Sequence, residues 1–531
     1  MRIDTALQWS INMLQIQSRI QSSGHWLVFA VVIILGLSIA SYLYSLDKYS
    51  LVYFGDSVSH MLGARKLVDW SENPGFAQLG TVWLPLPHII LLPFTLIDPL
   101  FTTGFAGVIV SLPCLAITTA LLYKMIRIHL VSGFSHVAFI GALLYALNPN
   151  ILYLGMTAMT EAPFMLFFVA SAYFLQKWHR NPEQLRILML SSIFVVLATL
   201  CRYEGWILPL FLAPFATMLM IKGEFKVQKK MLGILLALAS FLGIAFWVSY
   251  NAIQYGDPLE FANAEYYSAS SQALNRDIRQ TLFLQPANVL SIYGITAYTM
   301  YGPILLSSAL LGYVVHRRKE GSKNRRILYV FLALPPLFTI ITLLIGIGEM
   351  NLWFNSRFLI LLLPLLIMLA VLLLQNLPNK IKNNRGFVIT IIGALFVFQI
   401  SMIAFNTVPT YLDARGGFLY KVNPFAIQTG ESLNSMYDDG MIMIMTGSAQ
   451  GHRIMVTGGI PLKQYDEIIE SSTWKESFYE PWLYDKWIIL SKVPDSDGAN
   501  VVKYWQDRRS ELDEHYKKVY ENEYHEILVL K

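Results

Sequence analysis

Residues 55–70 read GDSVSHMLGARKLVDW. They follow closely on an apolar run at 25–46. A run of about 20 apolar residues is long enough to cross a bilayer as a helix. The charged stretch is therefore expected at the membrane surface, just after the first span. Whether that reading holds for the whole chain depends on composition. Of the 531 residues, 55% are hydrophobic and only 14% are charged. Soluble domains carry about 25% charged residues. The chain thus reads as mainly α, a polytopic membrane protein rather than a soluble one.

Ten further spans are expected downstream, at about 104–124, 134–153, 162–178, 186–201, 205–221, 231–252, 289–315, 327–348, 353–375 and 386–408. The segment LPLPHIILLPFTLI, 84–97, is short and holds Pro85, Pro87 and Pro93. It reads as an interfacial or re-entrant piece. This gives about eleven transmembrane helices, with the N-terminus cytoplasmic. The cytoplasmic segments then carry twenty Lys and Arg and the outer membrane-side loops seven, the bias expected of membrane proteins. Counting 84–97 as a full span would invert that bias. The expected organisation is a transmembrane catalytic module, 1–408, whose first outer loop, 47–103, carries interfacial helices. A small extracytoplasmic α/β domain, 409–531, follows. MIMIMTG (441–447), KWIILSK (486–492) and HEILVLK (525–531) read as strands, and 501–520 as an amphipathic helix. The tail holds nineteen acids against thirteen bases, so nucleic acid is not an expected partner.

Two cysteines, Cys114 and Cys201, exclude a disulfide framework or a cysteine-rich metal site. The ten histidines show no metal-binding spacing. The chemistry must lie with acids and arginines at span ends. In the topology above these all fall on one face: Asp56, Arg65, Glu161 in MTEAPF, Arg202 and Glu204 in CRYEGW, and Arg357 in WFNSRF. Ionisable groups near membrane depth are costly, so each is a functional candidate. A carboxylate can take a proton from an acceptor hydroxyl. Arginine forks can hold a phosphate and stabilise it as it departs. Asp56 and Glu161 are the candidate catalytic acids. Arg357, Arg202 and Arg65 are the candidate donor-phosphate ligands. His88, His60, Glu204 and Tyr203 are candidate lining residues. Phe261, Tyr266 and Tyr267 are candidates for an acceptor groove. Blander roles exist for each. Asp56 could cap a helix, Arg202 could simply pair with Glu204, and Asp69 and Trp70 read as a surface turn and an interfacial anchor.

The same motifs resemble those of the C-type polytopic glycosyltransferases, which include protein O-mannosyltransferases and the aminoarabinose transferases of lipid A. Asp56, Ala64-Arg65 and Asp69-Trp70 resemble that group's first outer-loop motif. TVWLPLPH (81–88) resembles its proline-rich helix start, and MTEAPF its second outer acidic motif. CRYEGW resembles its arginine-containing turn, and SRFLILLLP (356–364) its arginine–aromatic span start. Two positions depart from the common pattern: Ser57 follows Asp56 where many relatives have Glu, and Glu161 stands where Asp is frequent. The resemblance implies transfer of a sugar from a polyprenyl- or dolichyl-phosphate donor to a glycan, lipid or protein acceptor at the outer face, with Asp56 as general base. No cofactor is certain, and a divalent metal is compatible with it. The rival reading is a secondary transporter or flippase of a lipid-linked or polar solute. Transporters place their charges near the bilayer midplane on broken, repeated helices. Here the charges lie at span ends.

Overall fold

The computed structural model describes residues 3–70, 74–129, 135–264, 281–317, 323–377, 385–415, 417–446, 448–467, 474–492 and 499–531. The chain is a polytopic helical membrane protein with a small C-terminal sheet. Among the described residues, eight helices are long and apolar enough to cross a membrane. They correspond to the expected spans 1, 2 and 6–11. The other three expected spans are shorter or less apolar. The third is two helices, Ser135–Ala146 and Pro149–Leu154. Pro149 has no N–H to continue the first helix, and the Asn148 side chain accepts from Asn150 N at 3.1 Å, starting the second. The fourth is Glu161–Arg180 and the fifth Leu185–Thr199. Segment 84–97 forms a ten-residue helix, Leu86–Thr95, too short to span.

The chain folds as two compact units. One comprises Met1–Ser38, Leu112–Gly155 and Thr160–Thr410, and holds most of the apolar helices. Its Pro286–Arg317 helix is kinked where Gly302 takes φ +73° ahead of Pro303. A side chain at Gly302 would meet strain there and the Phe398 ring.

The other unit comprises Ile39–Ser111, Met156–Met159 and Tyr411–Lys531. Residues 47–103 thus share a unit with the C-terminal domain. The reason is a common core. Its sheet has strands β1 (Ile442–Met445), β2 (Tyr465–Glu467), β3 (Trp487–Ser491), β4 (Tyr516–Glu521) and β5 (His525–Leu530), in the order β2-β1-β3-β5-β4. β1 runs parallel to β2 and β3, in register Ile442↔Trp487 through Met445↔Leu490, and β5 is antiparallel to β3 and β4. β1 and β3 are buried along their whole length, as central strands covered on both faces must be. Alternate residues enter two cores. Ile442, Ile444, Trp487, Ile489 and Ile527 point one way, and Met443, Met445, Ile488, Leu490 and Leu528 the other.

Three of the helices that close the first of those cores come from both ends of this unit's sequence. Gly417–Met436 contributes Ala426, Ile427 and Leu433, and Ser448–Gly458 contributes Ile454, Met455 and Val456. The third is Gly55–Lys66, which contributes Val58, Met61 and Leu62 at helical spacing. Trp70 is 4% exposed within this core and Lys66 Nζ lies 4.2 Å from its ring centroid. Asp69 accepts from Leu462 N at 3.1 Å. Neither is the surface feature the sequence suggests.

The expected strands at 441–447, 486–492 and 525–531 are β1, β3 and β5. The expected helix 501–520 divides into Ala499–Asp507, Arg509–His515 and then β4. β4 is an edge strand whose lysines face solvent, a way of discouraging further pairing.

Within this unit Asp485 is 2% exposed, and among the described residues neither carboxylate oxygen has a hydrogen-bond partner. Burial, reinforced by Asp466, pushes it up to about 8. A carboxyl raised above its unfolded value keeps its proton in the native state at pH values where the unfolded chain has lost it. Stability then falls as pH rises between about 4 and 8, by up to roughly 1.4 kcal/mol per unit. Asp485→Asn is therefore expected to raise the unfolding temperature at pH 8 and change it little at pH 4. Circular-dichroism melts at the two pH values check this. An equal effect at both would contradict it.

Candidate active site

The two units each hold one cluster of the expected site residues. In the unit containing residues 47–103, Asp56 lies in the first turn of the Gly55–Lys66 helix and is half-buried. The helix dipole favours a carboxylate in that turn. Asp56 is not the N-cap residue, which is Phe54, and no side chain caps this end. The turn is fastened by its neighbours. Ser57 Oγ accepts from Ala158 N at 2.8 Å. Ala158 can come this close because Gly107 carries no side chain: a Cβ there would stand 2.3 Å from Ala158 N. Ser59 Oγ shares a 2.7 Å hydrogen bond with His452 Nδ1, and Arg453 Nη2 donates to Tyr53 O at 2.8 Å. His452 and Arg453 belong to the Ser448–Gly458 helix of the C-terminal domain. Sequence reasoning missed both. A His-Arg pair in a polar tail carries no span-end signal, and its partners lie almost 400 residues away.

His60, on the same helix, meets His88, Nδ1 to Nε2, at 3.0 Å. His88 Nδ1 is 3.2 Å from Leu84 O. A carbonyl can only accept, so His88 Nδ1 carries the proton. His88 Nε2 must then accept from His60 Nδ1. The His88 tautomer follows, and His60 carries a proton on Nδ1. Burial pushes His88 down to about 4, against the pull of the Leu84 carbonyl, so it is neutral at physiological pH. The Trp83 ring packs 4.2 Å from that of His60.

Arg65 is 7% exposed. Its Nε donates to Asp69 at 2.8 Å, its Nη1 to Asp98 at 2.7 Å and to Thr95 O at 3.3 Å, and its guanidinium covers the Phe101 ring. These contacts tie the Gly55–Lys66 helix to residues 95–101. The guanidinium expected as a phosphate ligand is thus engaged by two carboxylates.

In the other unit, Glu161 opens the Glu161–Arg180 helix and is 1% exposed. Its Oε1 accepts from Arg202 Nη1 at 2.7 Å and stands 3.2 Å from Arg357 Nε. Arg202 Nε and Nη2 grip the two oxygens of Glu204 at 3.2 and 2.7 Å, and its Nη1 also reaches Thr160 Oγ1. Both guanidiniums lie against the Phe358 ring, at 5.4 and 5.6 Å. Two carboxylates and two guanidiniums are thus interlocked, with Arg202 forked onto Glu204. The Arg202–Glu204 pairing, one of the blander readings of the sequence, is present. Tyr203 stands beside the network, its hydroxyl accepting from Trp247 Nε1 at 3.2 Å and its ring stacked on Phe261 at 5.5 Å. Tyr266 and Tyr267 lie outside the described residues. Among the described residues no three His, Cys, Asp or Glu side chains are grouped as a metal site would need.

Residues 87–247 match the family model described as dolichyl-phosphate-mannose-protein mannosyltransferase. No curated protein sequence matches the chain. The structure of ArnT from Cupriavidus metallidurans bound to undecaprenyl phosphate is 10% identical, covers 93% of this chain and 97% of that one, and has a TM-score of 0.54. The same protein in its apo state is 12% identical with the same coverage and TM-score. The fold is that of the C-type membrane glycosyltransferases. The archaeal oligosaccharyltransferase AglB from Archaeoglobus fulgidus, in complex with an inhibitory peptide and a dolichol-phosphate, is 12% identical. It covers 94% of this chain and 73% of that one, with a TM-score of 0.50. The resemblance of this chain to the C-type glycosyltransferases, first drawn from its motifs, holds over nearly its full length at the level of fold.

Proposed function

We propose that the chain is a membrane glycosyltransferase that moves a sugar from a polyprenyl- or dolichyl-phosphate donor to an acceptor at the outer face of the cell membrane. The acceptor is a glycan, a lipid or a protein. The family-model match and the bound undecaprenyl phosphate of the ArnT structure support a lipid-phosphate donor. The observation that carries the reading is the preorganised first turn bearing Asp56. Ser57, Ser59 and Arg453 fix that turn without using its carboxylate as a cap.

Asp56 is the general base. It takes the proton from an acceptor hydroxyl as the oxygen attacks the anomeric carbon. The bond from that carbon to the phosphate oxygen breaks, and polyprenyl phosphate leaves. One positioned carboxylate opposite a leaving phosphate suits a single displacement, with inversion. Arg357 stabilises the leaving phosphate, and Glu161 holds its guanidinium in place through Nε. Arg202 and Glu204 brace Glu161 from the other side. The N-terminus is cytoplasmic and the C-terminal domain extracytoplasmic, a topology that the lysine and arginine bias supports.

Arg357→Ala is expected to raise the KM for the donor about 10- to 100-fold, the loss of one charge-assisted hydrogen-bonding group. Arg357→Lys should recover part of it. Initial-rate kinetics with a lipid-phosphate sugar test this. An unchanged donor KM in Arg357→Ala would remove the residue from the donor site.

A further inference from the structure

A second feature lies wholly within the C-terminal domain. An open cavity of about 620 Å³ is lined by four aromatic side chains, Tyr479, Trp482, Tyr484 and Tyr504. Its volume is in the range of small-ligand sites. Tyr479 and Tyr484 are 57% and 45% exposed, unusual for rings set this close to a packed core. That core lies directly beneath. Phe478 and Trp505 are buried in it, and Tyr504 packs against both at 4.9 and 5.1 Å. Trp482 is stacked on His515 at 4.2 Å and 12°. The rings are held by the fold rather than loosely displayed.

Polar groups alternate with the rings. Glu476, Glu480, Glu511 and Arg508 complete the lining. Tyr484 Oη donates to Glu476 Oε2 at 3.2 Å, and Arg508 Nε stands 3.7 Å from Glu511. Three acids against one base make the cavity anionic. Phosphate, nucleic acid and an acidic lipid surface are therefore disfavoured. A cationic side chain would seek an aromatic face, but the Arg508 guanidinium already covers Tyr504 at 4.6 Å. A saccharide fits better. Its C–H faces are electropositive and settle on aromatic rings, whose faces are negative. Its hydroxyls donate to carboxylates and accept from tyrosine and arginine.

We infer that the cavity formed by Tyr479, Trp482, Tyr484 and Tyr504 with their flanking acids is a binding site for neutral or amino-substituted oligosaccharide. It is independent of sugar transfer at Asp56. The site would hold a glycan chain against the outer domain by ring stacking and carboxylate–hydroxyl hydrogen bonds.

The test uses the full chain in detergent micelles without any donor. Saturation-transfer NMR is recorded with mannotriose and with chitotriose, with trilysine as the control ligand. Transfer to at least one trisaccharide is expected, strongest at its ring C–H protons. Tyr479→Ala and Tyr484→Ala should each weaken binding at least tenfold. Both side chains are exposed, so neither change endangers the core, and a thermal melt verifies that. Asp56→Asn should bind as the wild type does, which separates this site from the transfer reading. Absence of transfer to both sugars, binding that survives in the double tyrosine variant, or transfer to trilysine alone would each overturn the inference.

Discussion

Asp56→Asn is expected to lower sugar transfer by about 100- to 10,000-fold, the usual contribution of a positioned general base, while the protein still inserts and folds. Asp56 is half-buried in the first turn of its helix and is not the cap. The turn is held by the Ser57–Ala158, Ser59–His452 and Arg453–Tyr53 hydrogen bonds, none of which involves the Asp56 side chain. These fastenings remain when the carboxylate is replaced. Asparagine keeps the shape and removes the basic lone pair. The KM for donor should change much less than kcat, since a base acts in the transition state. Wild-type turnover in Asp56→Asn would end the assignment. A fall in expression or thermal stability matching the fall in rate would assign Asp56 a structural role instead.

Glu161→Ala is expected to cost about 3–5 kcal/mol of stability, the penalty for stripping a countercharge from buried cations. The carboxylate is 1% exposed and faces two guanidiniums whose side chains are each 12% exposed. The substitution removes that countercharge from both Arg202 Nη1 and Arg357 Nε. Because the carboxylate faces both guanidiniums, donor binding should weaken along with stability. Glu161→Gln retains an acceptor oxygen and should lie between alanine and wild type. Thermal unfolding in detergent, followed by a thiol-reactive fluorogenic dye on the buried Cys114 and Cys201 or by intrinsic tryptophan fluorescence, measures the order. Equal midpoints for all three forms would show that the ion network contributes nothing.

Much of this was legible in the sequence, for identifiable reasons. Apolar runs mark most of the spans directly, and Asn148-Pro149 marks the break in the third only after its cap is seen. Strands β1, β3 and β5 stand out because both their faces are buried, which makes the runs continuously apolar. β4 does not, because an edge strand carrying Lys517 and Lys518 has a polar pattern close to that of an exposed helix. Glu161, Arg202, Glu204 and Arg357 were each visible as charges at span ends. Their interlocking was not, since residues 161, 202 and 357 are brought together only by tertiary packing. The same limit hid His452 and Arg453. It also hid the burial of Trp70, because residues 47–103 complete a core whose sheet begins at residue 442. Arg65 shows the same limit: its motif position suggests chemistry, and its pairing with Asp69 and Asp98 is visible only in the fold.

Consumption of a lipid-phosphate sugar is what separates a glycosyltransferase from a transporter of the same lipid. It is tested by a purified-protein assay in liposomes with a panel of radiolabelled polyprenyl- and dolichyl-phosphate sugars, scoring loss of the donor and appearance of free lipid phosphate. The wild type is expected to cleave at least one donor, with lipid phosphate and transferred sugar appearing in equal amounts. Movement of intact donors across the bilayer with no cleavage of any of them would contradict this and point to a flippase.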